Sequence, residues 1–168
     1  VDHVRQKKYV QEFSDNMKES KKPKISDYTR KPYTKISWIA DFNRFGLQGY
    51  TDSMIQQMIR RIYDIAGITD KSVSVYLNRT KLSVKDFKGY SEMYLTDKPL
   101  IYMEIDPRWS IGISLSSDKF EQISFVNGIM TGKGGKHVDC VTKQLTTMIQ
   151  SQIKKKTKKE INETYIKN

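Results

Sequence analysis

The stretch QISFVNGIMTGKGGKHVDCV, residues 122–141, passes from alternating, strand-like residues through four closely spaced glycines into a helix-like pattern. Strand, glycine loop and helix in that order can form a phosphate cradle or a plain turn. A nucleotide P-loop needs G-x-x-x-x-G-K-[ST], because backbone amides must ring the phosphates and a hydroxyl must meet magnesium. Here Gly128 to Gly132 falls one residue short, and Gly134 follows Lys133 where the hydroxyl is required. The P-loop is rejected. Two readings stay open. Gly134 and Gly135 can adopt φ values only glycine takes readily, with the helix-start amides, Lys133 and Lys136 facing an anion. Alternatively the loop is a strand-to-helix turn with no ligand. His137, with no serine or cysteine nucleophile beside it, reads as a hydrogen-bonding residue at the helix start rather than a catalytic base.

Working outward, the helix that follows is predicted over residues 137–153, with Val138, Val141, Leu145, Met148, Ile149 and Ile153 on one face. A strand is expected over 120–129. Upstream, residues 100–117 read as two strands around Asp106-Pro107, 86–95 as a short helix, and 72–84 as two strands around Asn78-Arg79. Residues 51–67 give the clearest helix, capped by Thr51 or Asp52. Its Met54, Ile55, Met58, Ile59, Ile62, Ile65 and Ala66 form an apolar stripe expected in the core, and Gly67 is placed for the left-handed residue after the last turn. Residues 7–13 and 33–41 alternate as strands, joined by a polar, lysine-rich connection holding Pro23 and Pro32. Strands and helices are grouped rather than alternating, so the expected class is α+β.

The chain has 168 residues, 37% of them hydrophobic, and a single cysteine, Cys140. One cysteine excludes an internal disulfide and a cysteine-based zinc site. With only His3 and His137 besides, no structural metal and a reducing intracellular compartment are expected. No stretch approaches the roughly 18 apolar residues of a membrane span, and the N-terminus lacks the apolar segment of a secretory signal.

The net charge of +11 points to a polyanion, most often nucleic acid, or to plain solubility. Concentration of charge decides between them. After Ile153 come Lys154, Lys155, Lys156, Lys158 and Lys159, five lysines in six residues. Cations at a helix C-terminus are each favoured by roughly 0.3–1 kcal/mol, which accounts for one or two. Five repel one another, whereas a phosphate backbone would reward them through counterion release. No aromatic is interleaved, so backbone contact is inferred rather than base stacking.

The segments YTKISWIADFNRFGL, RRIYDIAG, VYLNRTKLSVKDFKGY and RWSIGISLSSDKFEQISFVNGIMTGKGGKHVDCVTKQL together resemble the ATPase region of eukaryotic-type (type IIA) ATP-dependent type II DNA topoisomerases. The resemblance covers nearly the whole chain in unbroken order. It implies that residues 1–47 are the last strands of a GHKL ATPase domain and 48–168 a C-terminally truncated transducer, a ribosomal-protein-like fold with a βαβ crossover. The family's magnesium-binding asparagine, D-x-G-x-G segment and lid are absent from this sequence. ATP and Mg2+ therefore belong to the parent enzyme, and no catalytic or cofactor-binding residue is expected here. The family's three-lysine DNA-interaction segment carries over onto Lys154, Lys155 and Lys156. Double-stranded DNA and a homodimer formed through the ATPase region are the implied partners. The nucleus, or a viral or cytoplasmic DNA compartment, is the implied location. Asn78-Arg79 departs from the family's asparagine-glycine pair, which puts a type I′ turn in doubt there. The connection from Lys98 to Arg108 is shorter than is common. A stand-alone basic α+β nucleic-acid-binding module is the alternative reading.

Overall fold

The computed structural model describes residues 1–116 and 118–167. Ser117, the last residue of the segment read as strands over 100–117, and Asn168, the last of the expected second domain, lie outside the described residues. The chain forms two compact units, Val1–Asp52 and Ser53–Asn168. The class is α+β as expected, and every ladder among the described residues is antiparallel and two-stranded. The parallel pairing of a βαβ crossover is not among them.

The first unit is one interrupted hairpin. β1 (Lys7–Val10) pairs with β4 (Lys24–Asp27), and β2 (Phe13–Ser14) pairs with β3 (Glu19–Ser20). The tip carries positive φ at Asp15, Asn16 and Met17. Two expectations are corrected. The lysine-rich connection is itself the return strand, and residues 33–41 form no strand. Alternation announces a half-buried strand only where a ladder partner exists. β4 pairs with β1 on one side, no described strand pairs with residues 33–41, and Ile36, Trp38 and Ile39 stand 81%, 69% and 94% exposed. Pro23 directly precedes β4, where no ladder donor is needed.

In the second unit, α1 (Asp52–Ile68) forms as its apolar spacing requires. Gly67 does not end it in a left-handed conformation; the residue is helical, and the helix continues through Ile68. Its missing side chain serves a close approach instead, because a Cβ there would lie 2.6 Å from the Tyr90 Cβ. The expected stripe is buried only in part: Ala66 is buried and Ile59 and Ile62 are half-buried, while Met54, Ile55, Met58 and Ile65 are exposed, and Asp64 and Gly67 complete the buried face. α2 (Phe87–Glu92) packs on that spot, capped by Asp86, whose Oδ1 accepts from the Gly89 amide at 2.8 Å.

The core is small and aromatic. Ala66, Leu82 and Tyr90 are its buried hydrophobic residues. Tyr90 meets Phe125 edge-on at 5.7 Å and Tyr94 at 5.4 Å between ring centroids.

Three hairpins complete the unit. β5 (Tyr76–Leu77) and β6 (Thr80–Lys81) close around Asn78 and Arg79, whose φ values of 48° and 69° give the double left-handed signature of a type I′ turn after all. β7 (Ile101–Asp106) and β8 (Trp109–Ile113) turn at Pro107-Arg108, where the Arg108 amide donates to Asp106 Oδ1 at 2.7 Å. The single strand expected over 120–129 is instead a hairpin, β9 (Phe125–Val126) and β10 (Ile129–Met130), turning at Asn127-Gly128. Asn-Gly is the strongest short hairpin signal. α3 (Lys136–Thr157) and the short α4 (Thr164–Lys167) follow. No helix among the described residues is long and apolar enough to cross a membrane.

Candidate nucleic-acid interface

The glycine loop is occupied by its own turn. The Thr131 amide donates to the Ser124 carbonyl at 2.8 Å, and the Gly134 amide donates to the Thr131 carbonyl at 2.8 Å. Gln122 Nε2 donates to the carbonyls of Thr131 and Gly132 at 3.2 and 3.0 Å. Gly134 and Gly135 have φ of 75° and 148°, and a Cβ on Gly135 would press on the His137 ring at 3.1 Å. These positions require glycine for the turn itself. His137 Nε2 lies 3.1 Å from Thr131 Oγ1, which in turn contacts Ser124 Oγ. The histidine holds the helix start to the strand end, as expected of it.

Arg61, which sequence reasoning passed over, fixes the hairpin from the other side. Its Nη2 donates to the Gly128 carbonyl at 2.9 Å. Nothing in its local pattern separates it from Arg60; only the tertiary approach of α1 to the β9–β10 turn does.

The lysine run sits at the far end of α3. The helix continues four residues past its expected end at Ile153, so Lys154, Lys155 and Lys156 belong to its last turn. There the exposed carbonyls and the helix dipole favour cations. Lys158 takes a left-handed conformation at φ 61°, and its amide donates to the Lys154 carbonyl at 2.9 Å, ending the helix. All five lysines are exposed.

Glu160, which the sequence reading did not weigh, bonds Lys154 Nζ at 2.6 Å. That hydrogen bond, with the attraction of the two charges, holds the Glu160 carboxyl below its usual range and raises the Lys154 ammonium. Lys155, Lys156, Lys158 and Lys159 make no ion pair with any described residue. Among the described residues, one acid therefore answers five cations. Gln150 Nε2 reaches back to the Ile161 carbonyl at 2.8 Å and turns the chain after the cluster.

The two places expected to face anions are not brought together. Lys133 and Lys136 lie at the start of α3 and Lys154–Lys156 at its end, about 27 Å apart at ~1.5 Å per residue. Among the described residues no three His, Cys, Asp or Glu side chains converge on a metal position. The loop amides named above already have partners. The described residues present no site that fits Mg2+ with a nucleotide.

The described residues thus form an α+β chain with short antiparallel hairpins, a strand-to-helix turn whose named amides are internally bonded, and a basic helix end where one acid meets five lysines. A family profile described as DNA gyrase B matches residues 47–168. The chain is 39% identical over 160 residues to DNA topoisomerase 2-alpha of Homo sapiens, covering 90% of this chain and 10% of that protein. The ATPase region of Saccharomyces cerevisiae topoisomerase II, solved with dexrazoxane bound, superposes with a TM-score of 0.88 at 37% identity, covering 99% of this chain and 44% of that one. The ATPase and transducer domains of DNA topoisomerase II from Balamuthia mandrillaris give 0.75 at 28% identity, over 94% and 41%. The chain belongs to the DNA gyrase B family. Within that family it is similar to the ATPase region of topoisomerase II, and it spans about a tenth of the length of the human relative.

Proposed function

We propose that this chain is the end of a GHKL ATPase domain, residues 1–47, and most of the transducer, residues 48–168, of an ATP-dependent type II DNA topoisomerase. In the parent enzyme, ATP with Mg2+ bound outside these residues closes a homodimeric gate around a duplex. The transducer relays that closure to passage of one duplex through another, in the nucleus or wherever the parent's DNA lies. Lys154, Lys155 and Lys156 contact the phosphates of the captured duplex.

The observation that carries the DNA role is the imbalance at the end of α3, where four of five exposed lysines lack a counter-ion among the described residues. Membership of the family and the likeness to solved topoisomerase II ATPase regions support the rest. The test is DNA-stimulated ATP hydrolysis by the intact enzyme bearing Lys154→Ala, Lys155→Ala and Lys156→Ala, measured against salt. Stimulation is expected to fall, with the salt slope reduced by up to about 0.9 per lost phosphate contact. Unchanged stimulation with an unchanged slope rejects the DNA role.

A further inference from the structure

α3 carries lysines well before its terminal cluster. Lys136 opens the helix and Lys143 follows two turns later, both exposed and neither paired with an acid among the described residues. At about 100° per residue, Lys136, Lys143, Thr147 and Lys154 fall within about 40° of one another, on a line about 27 Å long. The opposite face holds Val138, Val141, Leu145, Ile149 and Ile153, all at least half-buried. So the helix packs by its back and presents a basic line in front.

Local stability does not call for that line. Lys136 stands in the first turn, where the helix dipole opposes a cation. The acid nearest in sequence, Asp139, sits about 60° off the line, in the first turn where the dipole favours a carboxylate, and it makes an ion pair with neither lysine.

We propose that duplex DNA lies along this line, with Lys136 and Lys143 contacting phosphates ahead of the terminal cluster. The inference rests on the DNA-binding reading of Lys154–Lys156 and extends it, from Lys154, the one lysine of the three that lies on the line, into a track that begins near Lys133. A straight line of this length matches about eight base pairs at ~3.4 Å each. The line carries no aromatic for stacking single-stranded bases, and no apolar band for a membrane surface.

Duplex affinity against salt separates the outcomes. In Lys136→Gln/Lys143→Gln the slope is expected to fall by up to about 1.8, from about 0.9 per contact, and Lys136→Arg/Lys143→Arg is expected to restore it. An unchanged slope in that pair, beside a lowered slope in Lys154→Gln/Lys155→Gln/Lys156→Gln, overturns the track and leaves the cluster standing. A lowered slope in the pair beside an unchanged triple variant overturns the cluster and the track that runs to it, and confines the contacts to the start of α3. No change in either overturns both. Cys140, exposed, about 40° off the line and the chain's one thiol, gives a check without mutation. Its alkylation by a maleimide is expected to slow several-fold when a 20-base-pair duplex is present, and an unchanged rate speaks against the track.

Discussion

The Tyr90 hydroxyl donates to Asp64 Oδ1 at 2.7 Å, joining α2 to α1 inside a core that leaves the two residues 2% and 3% exposed. A buried carboxylate is tolerable because this donor meets it. Tyr94 reaches the same hydroxyl at 2.8 Å. Tyr90→Phe keeps the ring but strands Asp64, so we expect a loss of about 1–3 kcal/mol. The denaturant midpoint of the variant against the parent checks it, and adding Asp64→Asn to Tyr90→Phe should recover little.

The same hydroxyl sets an alkaline limit. Burial, then the bonds to Tyr94 and Asp64, raise the Tyr90 pKa above its ordinary value of 10.0. The folded chain therefore keeps a proton that the unfolded chain releases. The contribution is complete below about pH 10 and is lost as pH rises beyond it. Melting temperature should drop from about pH 10 upward in the parent, and drop less in Tyr90→Phe.

Gly67→Ala tests the close approach. In an open helix interior this change would gain up to about 1 kcal/mol. Here the new Cβ meets Tyr90 Cβ and Cγ at 2.6 and 2.7 Å, with neither atom at a flexible tip. Overpacking of about 1–3 kcal/mol should win. Thermal unfolding is expected to show net destabilisation.

Glu160→Gln removes the acid that answers Lys154. Both side chains are well exposed, so fold stability should hardly move. Duplex affinity at low salt should rise about two- to fivefold, the range of an exposed ion pair. Because Lys154 holds the Glu160 carboxyl below its usual range, the parent should keep its lower affinity as pH falls through the ordinary carboxylate range, and gain affinity only below it.

Much of this was legible in the residues. The helices α1 and α3 and the lysine run are local patterns and lie close to where their spacing says, while the turn expected at Asp106-Pro107 falls one residue later, at Pro107-Arg108. The failures share a cause. Residues 33–41 alternate like a strand, but a strand needs a ladder partner, and periodicity cannot say whether one comes alongside. Gly67 reads as a helix end because the approach of Tyr90 from α2 is invisible in sequence. The methionines of α1 read as core, yet Met54 and Met58 are exposed while Asp64 is buried beneath Tyr90. Asn127-Gly128 is a hairpin-turn signal, but with two-residue strands on either side the segment also reads as one continuous strand. At the candidate interface the pairing of Glu160 with Lys154, the end of α3 at Thr157 and the bond of Arg61 to Gly128 required coordinates.

The proposed grip of the α3 end on duplex phosphates is read out lysine by lysine in acetylation rates, followed by mass spectrometry with and without a duplex. Lys154, Lys155 and Lys156 should be protected several-fold, while Lys8, Lys22 and Lys24 of the first unit react at their DNA-free rates. Cluster lysines that react at the same rate with DNA bound as without it would rule the grip out.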